Sequence, residues 1–289
     1  MLTIKLTLPP TFGSAYVGET FACTLSANNE LPDETSRVIT SVRIVAEMQT
    51  PSQVSSLDLE PADTNPNDGL QKDQSLQKIV RFDLKEEGNH ILAVSVSYTE
   101  TLLGTDSQAA SGRVRTFRKL YQFVAQPCLS VRTKSSELAP LEVDNKSLGP
   151  YGKTRLLRFA LEAQLENVGD GTVVIKVCTR TPCLNTTLIA SQQTRLNPKA
   201  PFKAMSLNWD LERPDQSDSP PPTLNPRDVL QVAFLVEQEE GQQDGLEDLQ
   251  KNMRRDGRAV LGQLSIEWRS SMGDKGFLTT GNLLTRKRV

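Results

Sequence analysis

The chain has 289 residues, 37% hydrophobic, 24% charged and 5% aromatic, with a formal charge of −2. That length admits one large or two moderate domains, and the composition is ordinary for a soluble globular chain. Near-neutral charge and scarce rings argue against wholesale phosphate binding and stacked-base platforms, and the single histidine, His90, removes most acid–base and metal chemistry.

The longest unbroken apolar run, Val232 to Val236, is too short for a membrane-spanning helix. The opening MLTIKLTLPP has no apolar stretch of leader length, so secretion through a cleaved leader is not expected. Charge is uneven: residues 30–106 hold 14 acids and 6 bases, and residues 251–289 hold 9 bases and 3 acids. Solvated loops are the expected account of such an imbalance, ahead of an acidic face and a basic tail meeting different partners or a membrane surface, since asymmetry of this kind is a weak guide.

From the N-terminus onward, apolar residues recur at every second position. Phe21, Cys23, Leu25 and Ala27 form one stripe; Val42, Ile44, Ala46 and Met48 a second; Leu92, Val94, Val96 and Tyr98 a third. Side chains alternate between the faces of a strand, so each stripe predicts a strand buried on one side, as in antiparallel sheets. After a break at Gln126-Pro127 the pattern resumes with Phe159, Leu161, Ala163 and Leu165. It continues through Met205, Leu207, Trp209 and Leu211, then Leu230, Val232, Phe234 and Val236. The last stripe is Leu264, Ile266 and Trp268, with Gln263, Ser265, Glu267 and Arg269 expected to face outward. Turn chemistry at Asn67-Asp68-Gly69, Glu87-Gly88-Asn89, Gly169-Asp170-Gly171 and Asn225-Pro226 separates these stretches.

Three inserts interrupt the stripes. Residues 61–74 read as a long loop, and residues 213–226, with Ser219-Pro220-Pro221-Pro222, as extended and poorly packed. Residues 239–258 place Leu246, Leu249 and Met253 on one face of a short helix between Gly245 and Gly257. About seven strands are expected on each side of the break, and no repeat of solenoid period is visible. The expected fold is all-β, with two tandem immunoglobulin-like β-sandwich domains. These are residues 1–126 and 127–289, with one short helical insert in the second.

No constellation for chemistry emerges, so no catalytic, cofactor-binding or metal-binding residue is assigned. Cys178-Thr-Arg-Thr-Pro-Cys183 is wider than the tightest zinc spacings and has no second ligand pair, and with no leader its thiols are expected to be reduced. Cys23 lies on an inward stripe and reads as core. His90 follows a Gly-Asn turn and is expected on the turn side at the start of a strand, with no nucleophile motif to serve. Phosphate-binding glycine loops are absent, and the neighbours Glu86-Glu87 and Glu239-Glu240 form no catalytic pair by adjacency alone. The acceptor triplets at Asn145 and Asn185 arise often by chance and, with no leader expected, are not expected to be glycosylated. Trp209 and Trp268 both fall in the second half, so the Cys…Trp…Cys order of an antibody domain is missing. Arg286-Lys287-Arg288 is too short a run to read anionic lipid.

Three stretches go beyond periodicity. LTLPPTFGSAYVGETFACTLSANNE (residues 6–30), VAEMQTPSQ (45–53) and LGQLSIEWRSSMGDKGFLTTGNL (261–283) stand in the order, and with the character, of one family's hallmarks. The chain resembles the trafficking protein particle (TRAPP) complex subunit 13 family, several members of which extend beyond the point where this sequence stops. The resemblance implies a non-catalytic accessory subunit of a tethering and Rab-activating assembly in endoplasmic-reticulum-to-Golgi traffic and autophagy. Its partners would be the other subunits and, indirectly, a Rab-family GTPase and Golgi or autophagic membranes, with no nucleic acid and no small-molecule substrate. The implied location is cytoplasmic, peripheral to early secretory and Golgi membranes. A stand-alone cytosolic cargo adaptor of arrestin-like build would also consist of two sandwiches. Within the matched stretches, Gly13 and Gly18 are expected to serve turns, and Phe21 and Trp268 to fill cores.

Overall fold

The computed structural model describes residues 2–9, 14–32, 37–61, 69–103, 109–144, 152–176, 194–208, 221–271 and 273–286. The alternating stripes become strands, and the chain divides into two compact units, Met1–Gln126 and Pro127–Val289.

In the first unit the strands are β1 (Leu2–Thr7), β2 (Ala15–Val17), β3 (Thr20–Asn29), β4 (Arg37–Gln49), β5 (Val54–Leu57) and β6 (Glu60–Pro61). They continue with β7 (Gly69–Leu70), β8 (Ser75–Asp83), β9 (Gly88–Leu103) and β10 (Ala109–Pro127), the last running one residue past the boundary. One sheet has the order β1-β3-β8-β6; the other runs β2-β10-β9-β4-β5, with β7 also on β4. The stripes of both sheets meet in one core that takes Phe21, Cys23, Leu25 and Ala27 from β3 and Leu92, Val94, Val96 and Tyr98 from β9. In β4, Ile44, Ala46 and Met48 are buried as expected, while Val42 is only half-buried. The register shifts there between Thr40 and Arg43, with Ser41 at φ 53°, so a bulge turns Val42 partly off the core face.

The ten described strands exceed the expected seven because two- to four-residue edge strands carry too little periodicity to be seen. Residues 61–74 are accordingly not one loop. Pro61 closes β6, which pairs with β8, and β7 sets Leu70 into the core against Ile39.

The second unit contains β11 (Leu129–Glu137), β12 (Leu141–Asp144), β13 (Lys153–Leu156), β14 (Arg158–Asn167), β15 (Val173–Lys176) and β16 (Arg195–Pro198). These are followed by β17 (Phe202–Ser206), β18 (Thr223–Leu224), β19 (Val229–Gln238), α1 (Leu246–Asp256), β20 (Val260–Ser270), β21 (Lys275–Thr279) and β22 (Leu283–Leu284). A β11-β14-β19-β17 sheet is accompanied by one built on β20, which pairs with β15, β16, β21 and β22 while β18 pairs with β15, and by the hairpin β12-β13. Here too the described strands outnumber the expectation.

The two units repeat one plan that the sequence does not announce. β11, β14, β19 and β17 follow one another across their sheet as β1, β3, β8 and β6 do, in the same chain order. β15 and β16 pair with successive stretches of β20, Lys176 opposite Glu267 and Arg195 opposite Ser265, so together they occupy the place that the single strand β4 holds beside β9. An asparagine marks the same corner in each. Asn29 ends β3 opposite the first residue of β1, and its amide donates to the Leu70 carbonyl at 2.9 Å. Asn167 ends β14 opposite the first residue of β11, and its amide donates to the Leu224 carbonyl at 2.9 Å. Both are buried, where an unpaired amide would be costly.

Two stripes of the second half need correction. Met205 and Leu207, expected inward, are 52% and 54% exposed; Phe202 is the buried residue of β17, which pairs with β19 through Phe202↔Gln238 to Ser206↔Phe234. The inward set is therefore the other parity, since one residue of register exchanges the two faces of a strand. Trp209 and Leu211 lie outside the described residues. Ser265, expected outward, is buried all the same, because Asn197 donates to its hydroxyl at 2.9 Å and Thr279 lies at 3.4 Å. In the insert at residues 213–226, the described end is packed: Leu224 is buried and β18 pairs with β15.

The helix stands where the glycines put it. Gly245 and Gly257 both adopt left-handed backbone, the Gly257 N–H donates to the Met253 carbonyl, and Leu249 is the buried contact. A side chain at Gly245 would overlap the Ala200 carbonyl, so both conformation and space demand glycine there.

Candidate interaction surface

The strongest candidate for contact with another molecule lies on the first unit, along β10. This strand pairs with β9 from Ala125↔Gly88 to Ala109↔Leu103. Its other neighbour in the sheet is β2, only three residues long against the nineteen of β10. Most of the outer edge of β10 therefore has no strand beside it among the described residues. Such an edge presents unpaired amide and carbonyl groups, a template for a further strand.

Sequence composition along this edge is one-sided. β10 holds Arg113, Arg115, Arg118 and Lys119 and no acid. Phe117, Tyr121 and Phe123 share the inward parity and pack on the core, while Val114 and Leu120 are 70% and 59% exposed on the other face. Beside the edge runs a groove of about 620 Å³ between β10 and β1. Leu2, Ile4, Tyr98 and Phe117 supply its apolar walls, and Arg113, Arg115 and Lys119 its polar ones.

The cations are unevenly engaged. Glu100, its side chain 11% exposed, pairs with Arg37 at 2.7 Å and with Arg115. Hydrogen bonding from Arg37 first, and from Arg115, holds the Glu100 carboxyl below its usual range against the opposing effect of burial. Arg118 reaches Glu47 at 3.1 Å on the outer face. Lys119 donates to the Ile4 carbonyl at 3.3 Å and sits 5.4 Å from the Tyr121 ring centre. Among the described residues the groove lining holds three cations and no acid, while Glu100 beside it engages Arg37 and Arg115 and Glu30 accepts from Thr3 at 2.8 Å.

The residues singled out from sequence do not converge on a reactive centre. His90 is not on the turn side: it is the third residue of β9 and fully buried. Its ring stacks on Phe123 at 5.5 Å and meets Phe82 edge-on at 6.4 Å, and Nδ1 lies 3.0 Å from the Gly88 carbonyl. The parity of the Leu92–Tyr98 stripe already placed it inward, and the neighbouring turn obscured that signal. Cys23 is buried, which pushes its thiol up to about 12, and Cys128 is buried as well. Glu86 accepts from the Ser52 hydroxyl and backbone, and the first of these bonds chiefly lowers its pKa. Gly18 takes φ 97° at a turn, as expected. Cys178, Cys183, Asn145, Asn185, Ser219, Pro220, Gly13, Lys287 and Arg288 lie outside the described residues.

Among the described residues no three His, Cys, Asp or Glu side chains cluster as metal ligands, and no helix is long and apolar enough to cross a membrane. The groove walls were missed by the sequence reading, although the run Arg-Val-Arg-Thr-Phe-Arg-Lys from Arg113 to Lys119 was its visible signal.

Comparison with known proteins places the chain. The family model of the trafficking protein particle complex subunit 13 N-terminal domain matches residues 1–125, and that of the middle domain matches residues 151–288. Trafficking protein particle complex subunit 13 of Xenopus tropicalis is 26% identical over 285 residues, 98% of this chain and 56% of the relative. The Xenopus laevis protein of the same name is 27% identical over 287 residues, again 98% and 56%. The probable homologue from Caenorhabditis briggsae is 26% identical over 281 residues, 96% of this chain and 55% of the relative. The chain thus spans a little over half the length of the curated relatives it matches. Likeness to a solved enterococcal surface protein region covers 95% of this chain and 93% of that one, but at 9% identity and a TM-score of 0.16 it carries no argument. With both compact units matched in order, the chain belongs to the trafficking protein particle complex subunit 13 family.

Proposed function

We propose that this chain acts as a non-catalytic accessory subunit of the trafficking protein particle complex, offering binding surfaces rather than chemistry. Each half, residues 1–126 and 127–289, is read as an immunoglobulin-like β-sandwich domain; the repeated sheet plan supports this reading. Its direct partners are then other subunits of the complex. Its role in endoplasmic-reticulum-to-Golgi traffic and autophagy reaches a Rab-family GTPase and Golgi or autophagic membranes indirectly, from a cytoplasmic, membrane-peripheral position. The observation that carries the proposal is the ordered match of two subunit 13 domains to almost the whole chain. Rigid sheets with exposed edges and loops suit docking.

The test is affinity purification of the tagged chain from its native cell, with mass spectrometry of what co-elutes at moderate salt. Near-stoichiometric recovery of the other complex subunits is expected. Recovery of scattered membrane-protein tails without them would replace this proposal with a stand-alone cargo adaptor.

A further inference from the structure

We propose that the open edge of β10 and the groove beside it bind an extended segment of a partner protein, rich in acidic and apolar residues, by addition of a strand. The inference rests on the reading of the chain as a docking subunit and deepens it to one surface and one ligand chemistry.

Three observations converge on this occupant. Backbone comes first: among the described residues β10 offers a long edge of which β2, three residues long, covers little. An added strand gains its affinity from main-chain hydrogen bonds along such an edge. The second is the alternation of the walls. Side chains of an added strand that turn inward at every second position would meet Leu2, Ile4 and Phe117, which favour apolar residues, and on that same face Arg113, Arg115 and Lys119. The third is charge. Arg113, Arg115 and Lys119 line the groove, where Glu100 engages Arg115 and Arg37 and Glu30 accepts from Thr3, so acidic side chains on the incoming segment are favoured beside the apolar ones.

Charge also argues against a second copy of this chain as the occupant. Antiparallel pairing of β10 with itself sets the Arg113–Lys119 run against the same run, and like charges directly opposite are destabilising. An anionic membrane would satisfy the cations but would leave the amide edge and the apolar walls without specific partners.

The experiment uses the whole chain and a fluorescein-labelled peptide in which glutamate and isoleucine take turns at every second position with threonine between them, and a lysine-for-glutamate twin as control, followed by anisotropy. Hydrogen exchange is read on the amides of residues 111–119. The expected result is saturable binding of the glutamate peptide, none of the twin, and slowed exchange confined to β10 and β1. The R113E/K119E variant should weaken binding by about tenfold or more, as expected when opposite charges are made alike. Both side chains are exposed; should the reversal impair folding, R113Q/K119Q gives a milder comparison, and exchange in the unaltered chain needs no variant. Absence of peptide binding, binding indifferent to both variants, or protection elsewhere would overturn the proposal. So would flotation with phosphatidylserine vesicles that depends on Arg113 and Lys119 while the peptide fails to bind. The subunit reading is tested separately: if the R113E/K119E chain still co-elutes with the full complex, the edge proposal falls as its docking route and the subunit reading stands.

Discussion

Trp268 and Gly276 form a lock whose strength is measurable. The indole is fully buried in β20, directly opposite Gly276 of β21. A Cβ built on Gly276 would overlap ring atoms Cε2, Cζ2 and Nε1 of Trp268, so the glycine is required by the tryptophan. Burying a tryptophan removes about 150–250 Å² from water, worth about 4–6 kcal/mol at 25 cal/mol per Å², and truncations elsewhere cost about 3–5 kcal/mol. Trp268→Ala should therefore remove about 3–5 kcal/mol, a large share of the roughly 5–15 kcal/mol that keeps a domain folded. Gly276→Ala alone should cost about 1–3 kcal/mol by overpacking. With the indole gone, the added methyl has room, and Gly276→Ala in the Trp268→Ala background should cost almost nothing. Urea midpoints by far-UV circular dichroism for the two single variants and the double variant give the coupling, expected at about 1–3 kcal/mol. If Gly276→Ala costs the same in both backgrounds, the lock does not exist. If Trp268→Ala costs less than about 1 kcal/mol, the side chain is not the core residue described here.

Two further outcomes are expected. Asn167→Ala should destabilise by about 2–4 kcal/mol, measured by urea unfolding. It strands the Leu224 carbonyl, the Gly171 carbonyl and the Gly169 N–H, which the amide holds at 2.9, 2.8 and 3.0 Å. Glu100 has a folded-state pKa below its ordinary 4.5, so its contribution is present above 4.5 and lost as pH falls through the folded value. Glu100→Gln should therefore flatten the acid-side loss of stability below 4.5, by a small amount because Arg37 and Arg115 are about 45% and 43% exposed. Midpoints that fall with acid equally in both proteins would refute this.

How much of this was legible in the sequence depends on the range of the interactions concerned. The stripes of β3, β9 and β14 and the helix between Gly245 and Gly257 follow from local periodicity and backbone preference, and the structure places them where the residues indicate. Parity failed at Met205 and Leu207, because which face of β17 is inward is decided by its pairing with β19, far away in the chain. Short strands such as β6, β7 and β18 exist only as partners of longer ones and leave no period of their own. The asparagine corners were invisible for the same reason: Asn29 and Asn167 matter through carbonyls 41 and 57 residues distant. The basic run in β10 was plain in the sequence, but that it lies at an edge is a property of sheet order.

That edge poses a question beyond binding. Long open strands invite self-pairing, and proteins commonly blunt them with charge. The cations of β10 would serve this protective purpose whether or not a partner also used them, and the two roles separate under neutralisation rather than reversal. Replacing Arg113 and Lys119 by valine removes the repulsion while leaving the backbone edge and raising strand propensity. If the charges keep copies apart, sedimentation velocity should show greater concentration-dependent self-association of R113V/K119V than of the parent at equal concentration, and less of it when Thr116→Pro is added, since proline cannot donate along a strand and disturbs the ladder. Should R113V/K119V sediment as the parent does, the exposed edge is guarded by something other than charge. The basic residues would then have only recognition left to explain them.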